Sequence, residues 1–481
     1  MSQNLDISQL FSNFQPLINQ DTEAYHEDIV LKLKPFAVLR PKSITELQEI
    51  IKICFTNNIC FTPCGNQTSV TGASVSDKSI IISTEKLKVI GEIETKNNEY
   101  ANIIVEPGII LSDLQNHVES KGFYYPPDPT SREEVFLGGT IATNATGENS
   151  YHYGSTRNYI TALEVIDAQG NYKLIQRKSN PLKLSKNKNL AGFHLDEEID
   201  PWIGSEGTLG IICKAHLLLI PKPKPFQSFF LFFPNEKSAL LFSAQIHSIR
   251  KQLSLRCLEY MDKKASEYMR LKSKRLSIPN DIYTIYLKIE ESSSIDQDSI
   301  FEILYEKYSQ VLNNYDDLFD KALIAQDYNE LLEFRRIRHH IPATINEISS
   351  QNKKSGGGKV SSDWWVPNCR IIEMFAYLRQ LQTDIDCDCA IFGHIGNGHP
   401  HVNMMPTNQK QKELSLQFTK KCITKAISFG GGACGEHGLG KIKTWALDLQ
   451  WTKKEIQKMK DVKKKWDPKQ LASPENIFGE L

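Results

Sequence analysis

The sequence predicts an α+β protein of two or three domains, on three observations. The chain has 481 residues, against roughly 150 per domain. Apolar runs of strand type alternate with helical patterns on both sides of one proline-rich stretch, Pro221-Lys-Pro-Lys-Pro225. Between them lie long glycine- and proline-laden segments with no periodicity, which in a folded domain usually hold something.

Taken in order, Ser43-Ile-Thr-Glu46 has the form of a capping box, and Leu47, Ile50, Ile51 and Cys54 follow at helical spacing. A short apolar run, Ile59–Phe61, leads into the loop Pro63–Gly72. Strand-like runs at Ile80–Ile82 and Ile103–Val105 precede a Pro107-Gly108 turn and a helical pattern from Leu111 to Val118. From Tyr125 to Gly147 the chain is rich in Pro, Gly, Thr and Asn. Leu163–Asp167 reads as a strand turning into a hairpin, and Gly210–Ile220 as another. Beyond the Pro221–Pro225 linker, strands at Phe229–Phe233 and Tyr283–Ile289 alternate with helices at Glu236–Gln252 and Ile300–Leu312. A polar interruption, Ser349–Gly358, precedes Lys359, and Thr452–Trp466 is a lysine-rich helix with a solvated face.

Composition excludes several classes. Lysine plus arginine and aspartate plus glutamate each total 57, so no positive surplus is available to displace counterions from nucleic acid. At 40% hydrophobic and 24% charged the chain is globular rather than disordered. The ten cysteines include no C-x-x-C pair, which argues against an iron–sulfur cluster or zinc ribbon and fits a reducing compartment. The opening MSQNLDISQLFSNFQPL lacks a basic region followed by an apolar one, and no apolar tract approaches about 20 residues. A soluble, cytoplasmic enzyme is expected, with peripheral membrane association left open.

Four glycine-rich segments carry the chemistry. Gly65–Gly72 can present converging backbone N–H groups to phosphate oxygens, although it is neither a Walker loop nor G-x-G-x-x-G. The others are Pro126–Thr130 with Gly138–Gly147 and Tyr153-Gly154, then Gly204–Gly210, then Gly435–Gly440. Gly356-Gly-Gly358-Lys359 imitates a nucleotide loop, but Val360 stands where Ser or Thr should bind magnesium, which rejects a kinase or ATPase. Three of the 12 histidines, His394, His399 and His401, fall within eight residues. On an extended chain His399 and His401 share a face, and His394 joins them if the Gly396–Gly398 turn folds back. Such a cluster with an outlying carboxylate, for which Glu436 beside His437 is the obvious source, suits a zinc or iron site with an open position. Packing histidines are the plainer alternative. Arg335 and Arg338 share a helix face suited to a carboxylate, or to solvent.

In this order the segments resemble the FAD-linked oxidoreductases with a vanillyl-alcohol-oxidase type (PCMH-type) flavin fold. Within that family they are similar to the branch of D-lactate, glycolate-oxidase-subunit and D-2-hydroxyglutarate dehydrogenases, from about Pro41 to Phe478. The family's P-R-G-G-G-T-S-x-T-G appears with Cys64, Asn66 and Gln67 replacing the arginine and two glycines. G-G-x-x-A-x-N-A-x-G is present from Gly138 to Gly147, and G-S-E-G-T-L-G-I-I is matched in full from Gly204 to Ile212. G-H-x-G-D-G-N-x-H-x-N appears with Asn397 for Asp and His399 for Asn, and G-E-H-G is intact at Gly435–Gly438.

The resemblance implies a two-subdomain FAD-binding domain over residues 1–222, an α+β substrate (cap) domain with an antiparallel sheet over 223–430, and a C-terminal segment, 431–481, returning to the FAD domain. It implies FAD contacts at Pro63, Gly65, Asn66, Gln67, Thr68, Ser69, Gly72, Pro126, Asp128, Gly138, Gly139, Ala142, Asn144, Gly147, Gly154, Glu206, Gly207 and Ile211. It implies a divalent metal, zinc before manganese or iron, on His394, His401 and Glu436, with His399 as neighbour or bystander. His437 would be the base, Arg338 and Lys359 would hold the substrate carboxylate, and Asn403 would complete the site. Pro342 replaces a threonine of the hydroxyglutarate enzymes, so the distal part of the substrate is open. The expected reaction is oxidation of a D-2-hydroxy acid to the 2-keto acid. Its electrons would pass to a separate protein or quinone, in a chain compatible with a homodimer. Rival readings are a metal-free FAD enzyme of the same fold acting on another alcohol, and a flavin-free zinc protein.

Overall fold

The computed structural model describes residues 6–97, 99–186, 188–273, 275–291, 296–312, 316–325 and 327–479. Its contacts divide the chain into two units. One is drawn from Met1–Gly147, Gly154–Lys222 and Glu436–Leu481, the other from Glu148–Tyr153 and Pro223–Gly435. The first division falls in the proline-rich linker. The second lies between Gly435 and Glu436 rather than after residue 430, because Gly432 pairs with Trp365 through both backbone groups and Gly435 donates to the Asp363 carbonyl. Nothing in the sequence marks Glu148–Tyr153 as part of the second unit.

In the first unit, the helix Ile44–Asn57 starts on the Ser43 side chain, which accepts from the Glu46 N–H, and ends on Asn58 in the left-handed region. Its buried face, Leu47, Ile50, Ile51 and Cys54, packs with Phe61, Ile80, Ile82 and Ile211. Val38–Leu39, Ile80–Ser83 and Phe61–Cys64 form a small parallel sheet, in that order. A second, antiparallel sheet runs through Tyr100–Val105, Gly210–Pro221, Ile160–Asp167 and Tyr172–Gln176.

The C-terminal helix Lys453–Trp466 opens on a Thr452/Glu455 capping box and turns one lysine inward. The buried Lys463 Nζ donates to the Thr208 carbonyl at 2.8 Å, to Asp467 Oδ2 at 2.9 Å and to the Ala472 carbonyl at 3.1 Å. Asp467, fully buried, in turn accepts from the N–H groups of Leu471 and Ala472, both at 2.9 Å. The tail is thus fastened to the Gly204–Gly210 segment by a saturated ion pair.

In the second unit a seven-stranded antiparallel sheet has the order Leu323–Ala325, Phe226–Phe233, Tyr283–Glu290, Leu255–Met261, Asp388–His394, His399–Met405 and Val360–Ser361. The helix Tyr328–Lys353 covers it through Phe334, Ile337, Ile341 and Ile345, which recur at the i, i+3, i+4 spacing of one face. This helix runs through the first half of the expected Ser349–Gly358 interruption, so only the glycines break it.

Removing Asp467 leaves the Lys463 ammonium buried with carbonyls alone. Asp467→Ala should cost about 3–5 kcal/mol in urea unfolding, and a loss below about 1 kcal/mol would show that the pair contributes little.

Candidate functional site

The glycine-rich segments of the first unit converge. The Pro63–Gly72 loop leaves the strand Phe61–Cys64. Its two unusual residues turn their side chains to the loop's own support: Asn66 Nδ2 donates to the Glu134 carbonyl at 2.9 Å, Gln67 Nε2 to that of Glu27 at 2.6 Å. Gln67 sits at φ 55°, a region a glycine enters freely, and its amide bond offsets that strain. These residues therefore offer a ligand backbone N–H groups rather than side chains. Thr68 and Ser69 are half-buried, and Ser69 Oγ accepts from the Thr71 N–H.

Gly138, Gly139 and Ala142 lie on the short helix Leu137–Ala142, which carries the chain past Pro107. Gly147 is forced by packing, since a Cβ there would lie 2.0 Å from the Asp128 carbonyl oxygen. Asn144, at φ 46°, accepts from the Arg157 N–H, and Gly154 stands against the Asn158 side chain. Pro126 is buried and Asp128 is paired with Arg132 at 3.6 Å. At Gly65 and Gly139 a Cβ would meet only ordinary contacts at 3.7 Å. The chain itself does not need glycine there, whereas a ligand lying against the backbone does. On that ground the segment fits a dinucleotide cofactor.

Glu206 organises the rest. It stands at φ 50°, donates its N–H to the Ala142 carbonyl, and is buried. Its carboxylate accepts from the N–H groups of Leu439 at 2.8 Å and Gly440 at 2.6 Å, which fixes the loop carrying Glu436 and His437. Asn476 Nδ2 donates to the carbonyls of Glu206 and Ala73, and Lys441 to Asn476 Oδ1. Gly207 lies against Pro63 and Ser473. The Glu206 carboxylate is thereby committed to amides, and the Ile211 side chain belongs to the apolar core, so neither side chain is offered to a ligand. Burial pushes the Glu206 carboxyl up to about 7, against the pull of the Leu439 and Gly440 N–H groups. Glu436 itself accepts from Thr146 Oγ1 at 2.7 Å and from the buried Lys188 ammonium.

In the second unit the strands Asp388–His394 and His399–Met405 form a hairpin closed by Gly398 at φ 65°, in which Phe392 pairs with His401 and His394 with His399. The turn does fold back, the condition on which His394 joins the other two, and the ring centroids of His394 and His399 lie 5.3 and 4.7 Å from that of His401. The sequence did not reveal the groups behind them. His394 Nδ1 lies 2.8 Å from Oε1 of Glu259, a residue with no exposed surface. His399 Nε2 lies 3.1 Å from Asp363 Oδ1, so that nitrogen is engaged. Asn403 accepts from Ser361 Oγ and donates to the His401 carbonyl.

Arg338 shares the core-facing side of its helix with Phe334 and Ile341, and a guanidinium there needs a partner. Glu259 supplies it through bonds from Nε at 2.8 Å and Nη2 at 3.1 Å. Burial opposes the Glu259 charge, but Arg338 and His394 hold its carboxyl well below the usual range. A second buried pair, Lys288 with Glu148 at 2.6 Å, lies in the same unit. Lys359 donates to Asn346 Oδ1 at 2.8 Å, and burial and Lys353 lower its pKa. Glu259 carried a weak signal, as a charge inside the otherwise apolar run Leu255–Met261 shared with Arg256. Lys188 carried none.

The resident histidine pair fits a metal. A metal-binding imidazole characteristically gives its second nitrogen to a carboxylate, as His394 does.

Comparison with known proteins matches the chain on both sides of the proline-rich linker. A family profile described as "FAD binding domain" matches residues 35–175, and one described as "FAD linked oxidases, C-terminal domain" matches residues 222–477. The chain is 28% identical over 451 residues to "Glycolate oxidase subunit GlcD" of Bacillus subtilis, covering 92% of this chain and 89% of that one. It is 27% identical over 471 residues to a D-lactate dehydrogenase of Anaerostipes hadrus, with 96% and 94% covered. To a D-2-hydroxyglutarate dehydrogenase of Stutzerimonas stutzeri it is 25% identical over 473 residues, with 92% and 91% covered. Its fold is similar to a solved alkyldihydroxyacetonephosphate synthase, with a TM-score of 0.65 at 15% identity over 92% of this chain and 78% of the other.

The raised Glu206 carboxyl has a definite sign. Its ordinary value is 4.5, so between about 4.5 and 7 the folded chain keeps a proton that the unfolded chain has released. The contribution is full below the lower value and lost as pH rises through the upper one. Relative to Glu206→Gln, the wild type should lose on the order of 3 kcal/mol between pH ~4 and pH ~8 in urea unfolding. A difference that stays constant with pH would remove the assignment.

Proposed function

Because the chain belongs to the FAD-linked oxidases and is an FAD-dependent oxidoreductase acting on CH–OH groups, we propose that it oxidises a D-2-hydroxy acid of the lactate, glycolate or 2-hydroxyglutarate class to the 2-keto acid, with a divalent metal, zinc first, on His394, His401 and Glu436. The observation that carries the metal assignment is the His394–Glu259 bond at 2.8 Å. A carboxylate can only accept, so the His394 Nδ1 carries a proton and Nε2 is the nitrogen that would face a metal. Glu436 follows Gly435 by one peptide bond, and Gly435 lies against the His399 ring in the second unit.

When bound, FAD would supply a hydride acceptor for the α-hydrogen, and a metal on His394, His401 and Glu436 would supply a Lewis acid for the substrate hydroxyl. His437 takes the hydroxyl proton as general base. The loop that carries it is held by the Glu206 carboxylate through Leu439 and Gly440, which limits its freedom to move. Arg338 uses two N–H groups on Glu259 and retains others for the substrate carboxylate, with Lys359 as a second cation. Asn403, buried beside His401, supplies an amide to the same site. The cofactor meets the Pro63–Gly72, Pro126–Gly154 and Gly204–Ile211 segments mainly through backbone. None of the ten cysteines forms a disulfide, and the electrons would leave to a separate protein or quinone. Among the described residues no helix is long and apolar enough to cross a membrane.

One observation favours a second reading, a metal-free enzyme of the same fold acting on another alcohol. The Lys188 ammonium already balances the Glu436 carboxylate.

Both readings are tested by anaerobic absorbance of the purified protein with D- and L-2-hydroxy acids, before and after EDTA treatment. Flavin bands bleached by a D-acid, and preserved after EDTA, are expected. Bleaching unaffected by EDTA, with no metal found on analysis, would favour the second reading. His437→Ala should slow flavin reduction roughly 10²–10⁴-fold; an unchanged rate would exclude it as the base.

A further inference from the structure

We propose that Glu259 is a positioning residue that sets a metal ligand and a substrate-binding arginine with a single carboxylate. The proposal rests on the metal reading above. Oε1 lies 2.8 Å from His394 Nδ1 and also accepts from Arg338 Nη2 at 3.1 Å, while Oε2 accepts from Arg338 Nε at 2.8 Å. All three side chains are buried. The ladder explains the meeting. Tyr260 pairs with Gly393 across antiparallel strands, so Glu259 and His394 stand opposite one another at the next position. Arg338 arrives from the covering helix, between Phe334 and Ile341.

An ion pair built for stability alone would need Arg338 and Glu259 only. The third contact has a chemical consequence, because it sets the imidazole tautomer and the ring plane together. The two bonds from Arg338 set the guanidinium plane in turn. A shift of the carboxylate therefore moves both groups at once, which couples metal affinity to substrate binding.

The test uses FAD-loaded protein stripped of metal with EDTA and titrated with zinc against a chromophoric chelator. Glu259→Gln should keep its FAD and lose zinc affinity roughly 10–100-fold, as expected when the carboxylate behind a ligating imidazole is removed. It should also raise KM for the 2-hydroxy acid more than it lowers kcat. In a His394→Ala background the same substitution should cost no further zinc affinity. Wild-type zinc affinity in Glu259→Gln would overturn the proposal, as would the full single-variant loss recurring in the His394→Ala background. Glu259→Asp retains the buried charge if the glutamine variant does not fold. It should lose zinc affinity by at least about threefold, and wild-type affinity there would likewise overturn the proposal. Wild-type protein that takes up no zinc overturns the metal reading itself, and this proposal with it, which separates the two failures.

Discussion

The first unit depends on a carboxylate that water does not reach. Glu206 leaves the Gly204–Gly210 segment in a left-handed backbone conformation, gives its N–H to Ala142, its carbonyl to Asn476 and its carboxylate to the amides of Leu439 and Gly440. Four stretches of chain with little regular structure are joined through one residue. Glycine-rich loops have few side chains with which to hold themselves in place, and their conformational entropy is high. A buried acid that must be satisfied supplies the order they lack. A Cβ on Gly438 would fall 2.5 Å from Glu206 Oε1, so the loop lies directly against the acid that holds it.

The second unit solves the reverse problem. It is an apolar sheet under the apolar face of a helix, and among its described residues buried charges are held as matched partners: Glu259 with Arg338 and His394, Glu148 with Lys288, Arg256 with Glu290. Pairs of this kind add little net stability, but their geometry is stringent because a misplaced partner leaves a bare charge in an apolar surround. Stringent geometry is useful where a site needs an imidazole or guanidinium held at one angle. The same sheet supplies bulk packing through Phe230 against Phe334, whose ring centroids lie 4.4 Å apart.

Much of this was legible from residue order. The Ser43 cap, the helix after it, the strands at Ile80 and Gly210 and the linker all follow from spacing and turn chemistry, which act locally, while the histidine turn was legible as a turn but not in its direction. What escaped has long-range causes. Glu259 reaches a helix 79 residues away, Lys188 reaches a glutamate 248 residues on, and Glu206 spans 233 residues to Leu439. No periodicity encodes such partners. The side-chain directions of Asn66, Gln67 and Ile211 escaped for a related reason, since a motif places a residue in a loop or strand without saying which way it faces.

The division of the chain has a consequence for its synthesis. The first unit is interleaved with the second, and Thr208 and Glu206 find Lys463, Leu439 and Gly440 only in a stretch made more than 200 residues after them. Likewise Glu148 waits for Lys288. Contacts this distant cannot form during elongation of the segment that needs them. The glycine-rich loops must therefore pass most of translation without their anchors, and the nascent chain spends that interval with acids and lysines in water that the finished fold will bury. Closure of the first unit waits for residues 436–481, whatever the order in which the rest has folded.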